Sequence, residues 1–99
     1  MIDVTAAEEL ERLLRDAPLP MIATRIKRAR KTSGLTHDQI GEAMGGVYRQ
    51  NLIGYEKGKH RPRLETLVKL AEATGRDPRW FVDPEVDPSP FPDDEQEAA

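Results

Sequence analysis

Arg49, Gln50 and Asn51 are consecutive, and each can read another molecule's hydrogen-bonding pattern. An arginine presents a fork of donors that matches guanine O6 and N7, and glutamine or asparagine can both donate to and accept from adenine. In the residues that follow, Leu52-Ile53-Gly54-Tyr55-Glu56-Lys57-Gly58-Lys59, Leu52 and Tyr55 have i, i+3 spacing. A short helix there has one apolar side and one polar side. Such a helix can lie in a DNA major groove while its back packs on a small core. Ile53 is off the Leu52/Tyr55 side and can meet a thymine methyl, or turn into the core if the helix is rotated. The same polarity also describes the solvated side of any amphipathic helix, so the neighbouring sequence has to decide.

The neighbours are basic. Lys57, Lys59, Arg61 and Arg63 place four bases within seven residues. Bases so spaced beside a polar helix suit contacts to a phosphate backbone, which supply affinity without reading sequence. Arg63 stands where a helix begins, a place that favours Ser, Thr, Asp or Asn and where positive charge opposes the helix dipole. A phosphate or minor-groove contact accounts for it; the alternative is a solvated arginine. His37 and His60 have no acid or Cys cluster in sequence reach, so hydrogen bonding to phosphate or simple exposure fits them better than a metal or catalytic role.

Whole-chain charge hides this pattern. The 99 residues carry a formal net charge of −3. Residues 1–20 hold two bases against five acids, residues 21–82 thirteen against six, and residues 83–99 seven acids and no base. A basic middle between acidic ends points to a polyanion partner for the middle. There is no Cys, hence no disulfide framework and no Cys-based zinc site. No nucleophile–base pair, carboxylate dyad or phosphate-binding Gly loop is visible, so an enzyme is not expected, nor any cofactor or metal. No run approaches a membrane span and no signal peptide is visible, which makes a cytoplasmic protein the default.

Elements follow from periodicity and punctuation. Thr5-Ala6-Ala7-Glu8 has the form of a capping box, and Leu10, Leu13, Leu14 and Ala17 recur at helical spacing, predicting a helix over 5–17. Its apolar stripe packs on the same domain or serves a dimer or partner contact. A second helix spans about 20–32, with Ile22, Ile26 and Ala29 inward and Arg25, Lys27, Arg28 and Lys31 directed largely elsewhere. Thr36-His37-Asp38-Gln39 is a second capping box, and Leu35 with Ile40 fits a hydrophobic staple. Ile40, Ala43 and Met44 form the stripe of that third helix, and Gly45-Gly46 breaks it. The polar helix covers 48–56, a fifth covers 64–74, and Asp77-Pro78 opens a short last helix with Trp80, Phe81 and Val82. Residues 83–99 alternate Pro with acids and are expected to be a disordered tail. The organisation is therefore 1–19 helix and linker, 20–82 domain, 83–99 tail.

These motifs jointly resemble the Cro/cI-like helix-turn-helix domain, the XRE family. Arg25-Ile26-Lys27-Arg28-Ala29-Arg30 with Gly34-Leu35-Thr36 resembles its first helix and the approach to the second. Tyr55-Glu56-Lys57-Gly58-Lys59 with Arg61-Pro62 resembles its signature after the recognition helix. Leu64 to Gly75 and Trp80-Phe81 resemble its last two helices; the first nineteen residues and the tail fall outside. The resemblance implies an all-α, five-helix lambda-repressor-like fold here extended by an N-terminal helix. It implies that Arg49, Gln50 and Gly54 face base edges, that His37 meets a phosphate, and that Lys57, Lys59, Arg61 and Arg63 follow the backbone. It also implies that Arg30 and Glu56 tie the first helix to the recognition helix. Two departures stand out: Gly45-Gly46 is one residue longer than the usual turn, and Tyr48 replaces the usual capping Ser or Thr.

The expected function is a transcriptional regulator, a repressor above all, bacterial or phage-encoded and nucleoid-associated. Arg49, Gln50 and Asn51, with Ile53 and Gly54, line the base-reading face, while Arg28 or Lys31 and the basic loop grip phosphates. A homodimer on a pseudo-palindromic operator is expected, because one domain reads few base pairs. The alternatives are an antitoxin that autoregulates its operon through the same domain, with the N-terminal helix or tail on a toxin, and a protein-interaction adaptor. The acidic tail is expected to compete with DNA for the basic face.

Overall fold

Residues 4–87, those described by the computed structural model, form six helices. They are α1 (Val4–Asp16), α2 (Leu19–Ser33), α3 (His37–Ala43), α4 (Arg49–Glu56), α5 (Leu64–Thr74) and α6 (Arg79–Val82). Among the described residues no strand forms, and no helix is long and apolar enough to cross a membrane.

Helix α2 is the post on which the others lean. Ile22, Ile26 and Ala29 recur along one side of it and are buried, meeting Ile40 of α3, Leu52 of α4, Leu67 and Leu70 of α5 and Phe81 and Val82 of α6 in one core. Each such large side chain contributes about 1.5–3 kcal/mol on burial. Thr36 caps α3 as its sequence foretells: Gln39 N–H donates to Thr36 Oγ1 (3.1 Å) and Thr36 N–H to Gln39 Oε1 (2.9 Å). Leu35, before the cap, packs on the same core as Ile40. Ala43 is exposed rather than buried; Gly41 takes the inward place on α3 beside Ile40 and Met44.

The N-terminal helix uses its apolar stripe on its own domain. Leu10, Leu14 and Ala17 are buried against α5 and α6, and Leu13 is partly buried on the same core. Thr5 lies in the first turn of α1, which already runs from Val4, and so does not act as the cap.

Arg25 corrects the helical-wheel reading of α2. It lies between the buried Ile22 and Ala29 and is itself only 6% exposed. Its Nη1 donates to the carbonyls of Trp80 (2.9 Å) and Asp83 (2.7 Å), and its Nη2 to that of Val86 (3.1 Å). Burial pulls the Arg25 pKa down, while the nearby Asp83 opposes that shift. Residues 83–87, expected in the tail, are thereby wrapped onto the domain: Asp83 is buried and Val86 packs against the core. Composition missed this because the acceptors are backbone carbonyls, which leave no trace in residue type. The rest of the expected tail lies outside the described residues.

Candidate nucleic-acid interface

A close approach at Gly41 sets the angle between α3 and α4. The carbonyl oxygen of Val47 occupies the place where a Cβ on Gly41 would sit. Gly46 N–H and Val47 N–H both donate to the Gly41 carbonyl, at 2.9 and 3.0 Å. The chain can double back so sharply because Gly45 and Gly46 adopt φ of 90° and 104°, the region closed to most side chains. Gly41 carries a signal of its own in the sequence, since a glycine inside a helical pattern is a sign of close backbone approach.

Helix α4 is held from behind and open in front. Leu52 is buried and Tyr55 partly so. Arg49, Gln50 and Asn51 are all exposed on its first turn, while Ile53 is half-buried at the margin between core and solvent. The Arg49 guanidinium lies 3.4 Å from Asp38, in a pair exposed on both sides. Such a pair is worth about 0–1 kcal/mol and leaves Arg49 free to rearrange. Tyr48 occupies the N-cap position without capping through its side chain and is 78% exposed.

Gly54 does not face a base edge. It is buried, and a Cβ there would fall 2.7 and 2.8 Å from Cδ2 and Nε2 of His60. Its missing side chain makes room for the imidazole, which also meets the Tyr55 ring edge-on at a centroid distance of 6.2 Å. This replaces the expectation that Gly54 belongs to the base-reading face.

Glu56 anchors the far end of α4. Arg30 Nε donates to Glu56 Oε2 (2.7 Å) and Arg30 Nη2 to Glu56 Oε1 (3.1 Å), so the two planar groups meet in parallel across α2 and α4. His37 is drawn to the same carboxylate. Its buried Nε2 lies 3.2 Å from Glu56 Oε2, without the alignment of a hydrogen bond. The His37 side chain as a whole stays 26% exposed.

The bases of the following loop divide. Lys57, Lys59 and Arg63 are exposed. Lys59 N–H donates to the Gly54 carbonyl at 2.9 Å, which fixes the start of the loop to α4. Arg63 opens α5 through its backbone alone, its carbonyl accepting from Leu67 N–H at 2.9 Å. Arg61 is exposed as well, but its Nη1 donates to the carbonyls of Leu14 (2.8 Å) and Ala17 (2.5 Å) at the end of α1. Arg61 thus caps the end of α1, whose last carbonyls attract a cation and lack partners of their own. On α2, Lys31 is exposed one turn after the equally exposed Lys27. Arg28 is half-buried on α2, one turn after Arg25.

Two helices joined by a tight turn, the second pinned from behind and presenting Arg, Gln and Asn outward, define a helix-turn-helix DNA-binding module. A family model described as helix-turn-helix matches residues 26–81, and the chain belongs to this XRE-type family. It is 41% identical over 54 residues to an uncharacterized HTH-type transcriptional regulator of Methanothermobacter thermautotrophicus, covering 54% of this chain and 77% of that protein. It is 34% identical over 71 residues to an uncharacterized HTH-type transcriptional regulator, y4dJ, of Sinorhizobium fredii, covering 72% of this chain and 90% of that protein. No solved structure matches significantly. By family the chain is a DNA-binding regulator of transcription and not an enzyme.

Proposed function

We propose that the protein is a sequence-specific repressor that reads the major groove with the first turn of α4. The observation that carries this reading is the exposure of Arg49, Gln50 and Asn51 together on a helix fixed from behind by Leu52 and Glu56. A helix held that firmly presents its polar side chains in one register. Arg49 reads guanine and Gln50 or Asn51 reads adenine, with about 1–3 kcal/mol of discrimination for each good pairing. Ile53, at the margin, supplies an apolar contact to a thymine methyl. Lys57, Lys59, Arg63 and Lys31 hold the phosphates, and the binding is accordingly salt-dependent. A homodimer on a pseudo-palindromic operator doubles the few base pairs that one module reads, with half-sites about one helical turn apart. Occupation of such a site excludes polymerase without further machinery, which is the reason for reading the regulator as a repressor.

Selection from a library of random duplex DNA at two salt concentrations tests this. The wild type enriches an inverted repeat, and Arg49→Ala/Gln50→Ala loses the enrichment while its melting temperature is retained. Retention of duplex without enrichment would reduce the function to phosphate binding. A single, unrepeated enriched motif would remove the dimer.

A further inference from the structure

We infer that Arg61 is a positioning residue through which α1 holds the loop 57–63 in the register that DNA contact requires; this rests on the DNA-binding reading above. In that loop the Arg61 guanidinium donates to the Leu14 and Ala17 carbonyls, although the residue as a whole stays exposed. The next residue, Pro62, is buried. The loop is therefore fixed at two places. Lys59 N–H on the Gly54 carbonyl ties its first half to α4, and Arg61 ties its second half to α1. Lys57, Lys59 and Arg63 sit on the chain between and beside these ties, all exposed.

The tie is only as firm as α1 itself, and α1 is well seated. Leu10, Leu14 and Ala17 are buried against α5 and α6, and Glu9 lies 3.3 Å from the Arg79 guanidinium. A continuous mechanical path thus runs from the core through α1 and Arg61 to the phosphate-facing loop. Helix α1 lies outside residues 26–81, the span matched by the family model, so this splint is an addition to the shared module. Coupling of this kind is reciprocal: if α1 orders the loop for DNA, DNA must steady α1.

The opposite arrangement has an opposite signature. If Arg61 left α1 to reach a phosphate, the Leu14 and Ala17 carbonyls would lose their donor and the last turn of α1 would fray.

Backbone amide exchange over α1, in the full chain with and without the duplex most enriched in the selection above, separates the two. The expected result is slower exchange in the last turn of α1 when DNA is bound, although α1 is set behind the loop. Arg61→Ala abolishes that slowing. It also lowers affinity about tenfold and reduces the dependence of log K on log salt by more than the ~0.9 of one lost phosphate contact, since Lys59 and Arg63 lose register with it. Arg61→Gln, which keeps donors but not charge, serves as the second variant. Exchange that quickens or stays unchanged on DNA binding overturns the inference. So does an Arg61→Ala protein with a lower melting temperature but unaltered affinity and salt dependence, which would make Arg61 a stabiliser only. A wild type that retains no duplex would overturn the DNA-binding reading as well; retention that depends on Arg49 and Gln50, with α1 exchange unchanged, would overturn this inference alone.

Discussion

Arg25 and Arg30 leave α2 little more than one turn apart and tie down different flanks of the domain by different means. Arg25 donates to three backbone carbonyls, of Trp80, Asp83 and Val86, and so closes α6 and residues 83–87 onto the core. Arg30 meets the Glu56 carboxylate with two nitrogens and so fixes the end of α4, while its Nη1 also donates to the Leu35 carbonyl at 3.5 Å. The first flank is wrapped: Trp80, Phe81 and Val82 are all buried, and the Trp80 and Phe81 rings pack edge-on at 5.1 Å. The second is pinned at one end and open at the other, where α4 starts without a side-chain cap and exposes Arg49, Gln50 and Asn51. A helix that must offer hydrogen-bonding groups to a partner cannot satisfy them internally. Its stability therefore has to come from behind and from its neighbours.

Changes on the open flank should have the larger effects where they touch those few fixings. The largest is expected at Gly41. Gly41→Ala drives a methyl group into the Val47 carbonyl, and rearranging backbone to relieve it costs roughly 3 kcal/mol, read as a drop in the urea midpoint and loss of specific DNA binding. Glu56→Gln comes next. It leaves Arg30 without its two-pronged carboxylate and is expected to cost about 2 kcal/mol in thermal unfolding, with binding weakened because α4 loses its anchor. If instead Glu56→Gln left α4 as firmly placed as before, the view of this flank as singly pinned would fail.

Tyr48→Ser gives α4 the cap that α3 already has. It is expected to raise stability by about 1 kcal/mol, seen as a higher melting temperature; no gain would mean that the open start is already satisfied in another way.

The smallest effect belongs to the wrapped flank and is a pH dependence. The Asp83 carboxyl titrates below its ordinary 3.8, chiefly because Arg79 hydrogen-bonds it and then because Glu85 N–H donates to it. A lowered native pKa stabilises the fold above the unfolded value, and that contribution fades as pH falls through the native one. The stability difference between wild type and Asp83→Asn should thus be steady above about pH 4 and shrink below it, as measured by urea midpoints from pH 5 to 2. A difference that grew on acidification would reverse the assignment.

The six helices were legible because their signals are local. Thr36 and Gln39 make a capping box wherever the chain enters a helix there, and Leu64, Leu67, Leu70 and Ala71 share a face at helical period. The polar run Arg49-Gln50-Asn51 was legible for the same reason: residue type and i, i+3 spacing suffice to put it opposite Leu52 and Tyr55. The roles of individual bases and glycines were not legible. Arg25, Arg28, Arg61 and Arg63 look alike in a sequence, yet one is buried under carbonyls, one stands beside it, one caps α1 and one faces solvent. Arg25 came nearest to being readable, since it falls between Ile22 and Ala29 on the inward side of α2.

By itself, then, the sequence determined which segments are helical, where they stop, and that a polar helix beside a basic loop would be available to a polyanion. Tertiary structure alone decided which cations remain available, because the competing acceptors are carbonyls brought in from distant segments: Leu14 and Ala17 for Arg61, and Trp80, Asp83 and Val86 for Arg25. It also decided why Gly41 and Gly54 must lack a side chain, since Val47 and His60 reach those places only when the chain has folded back upon itself. Periodicity records which way a residue points along its own helix; what it meets there depends on the packing of the others.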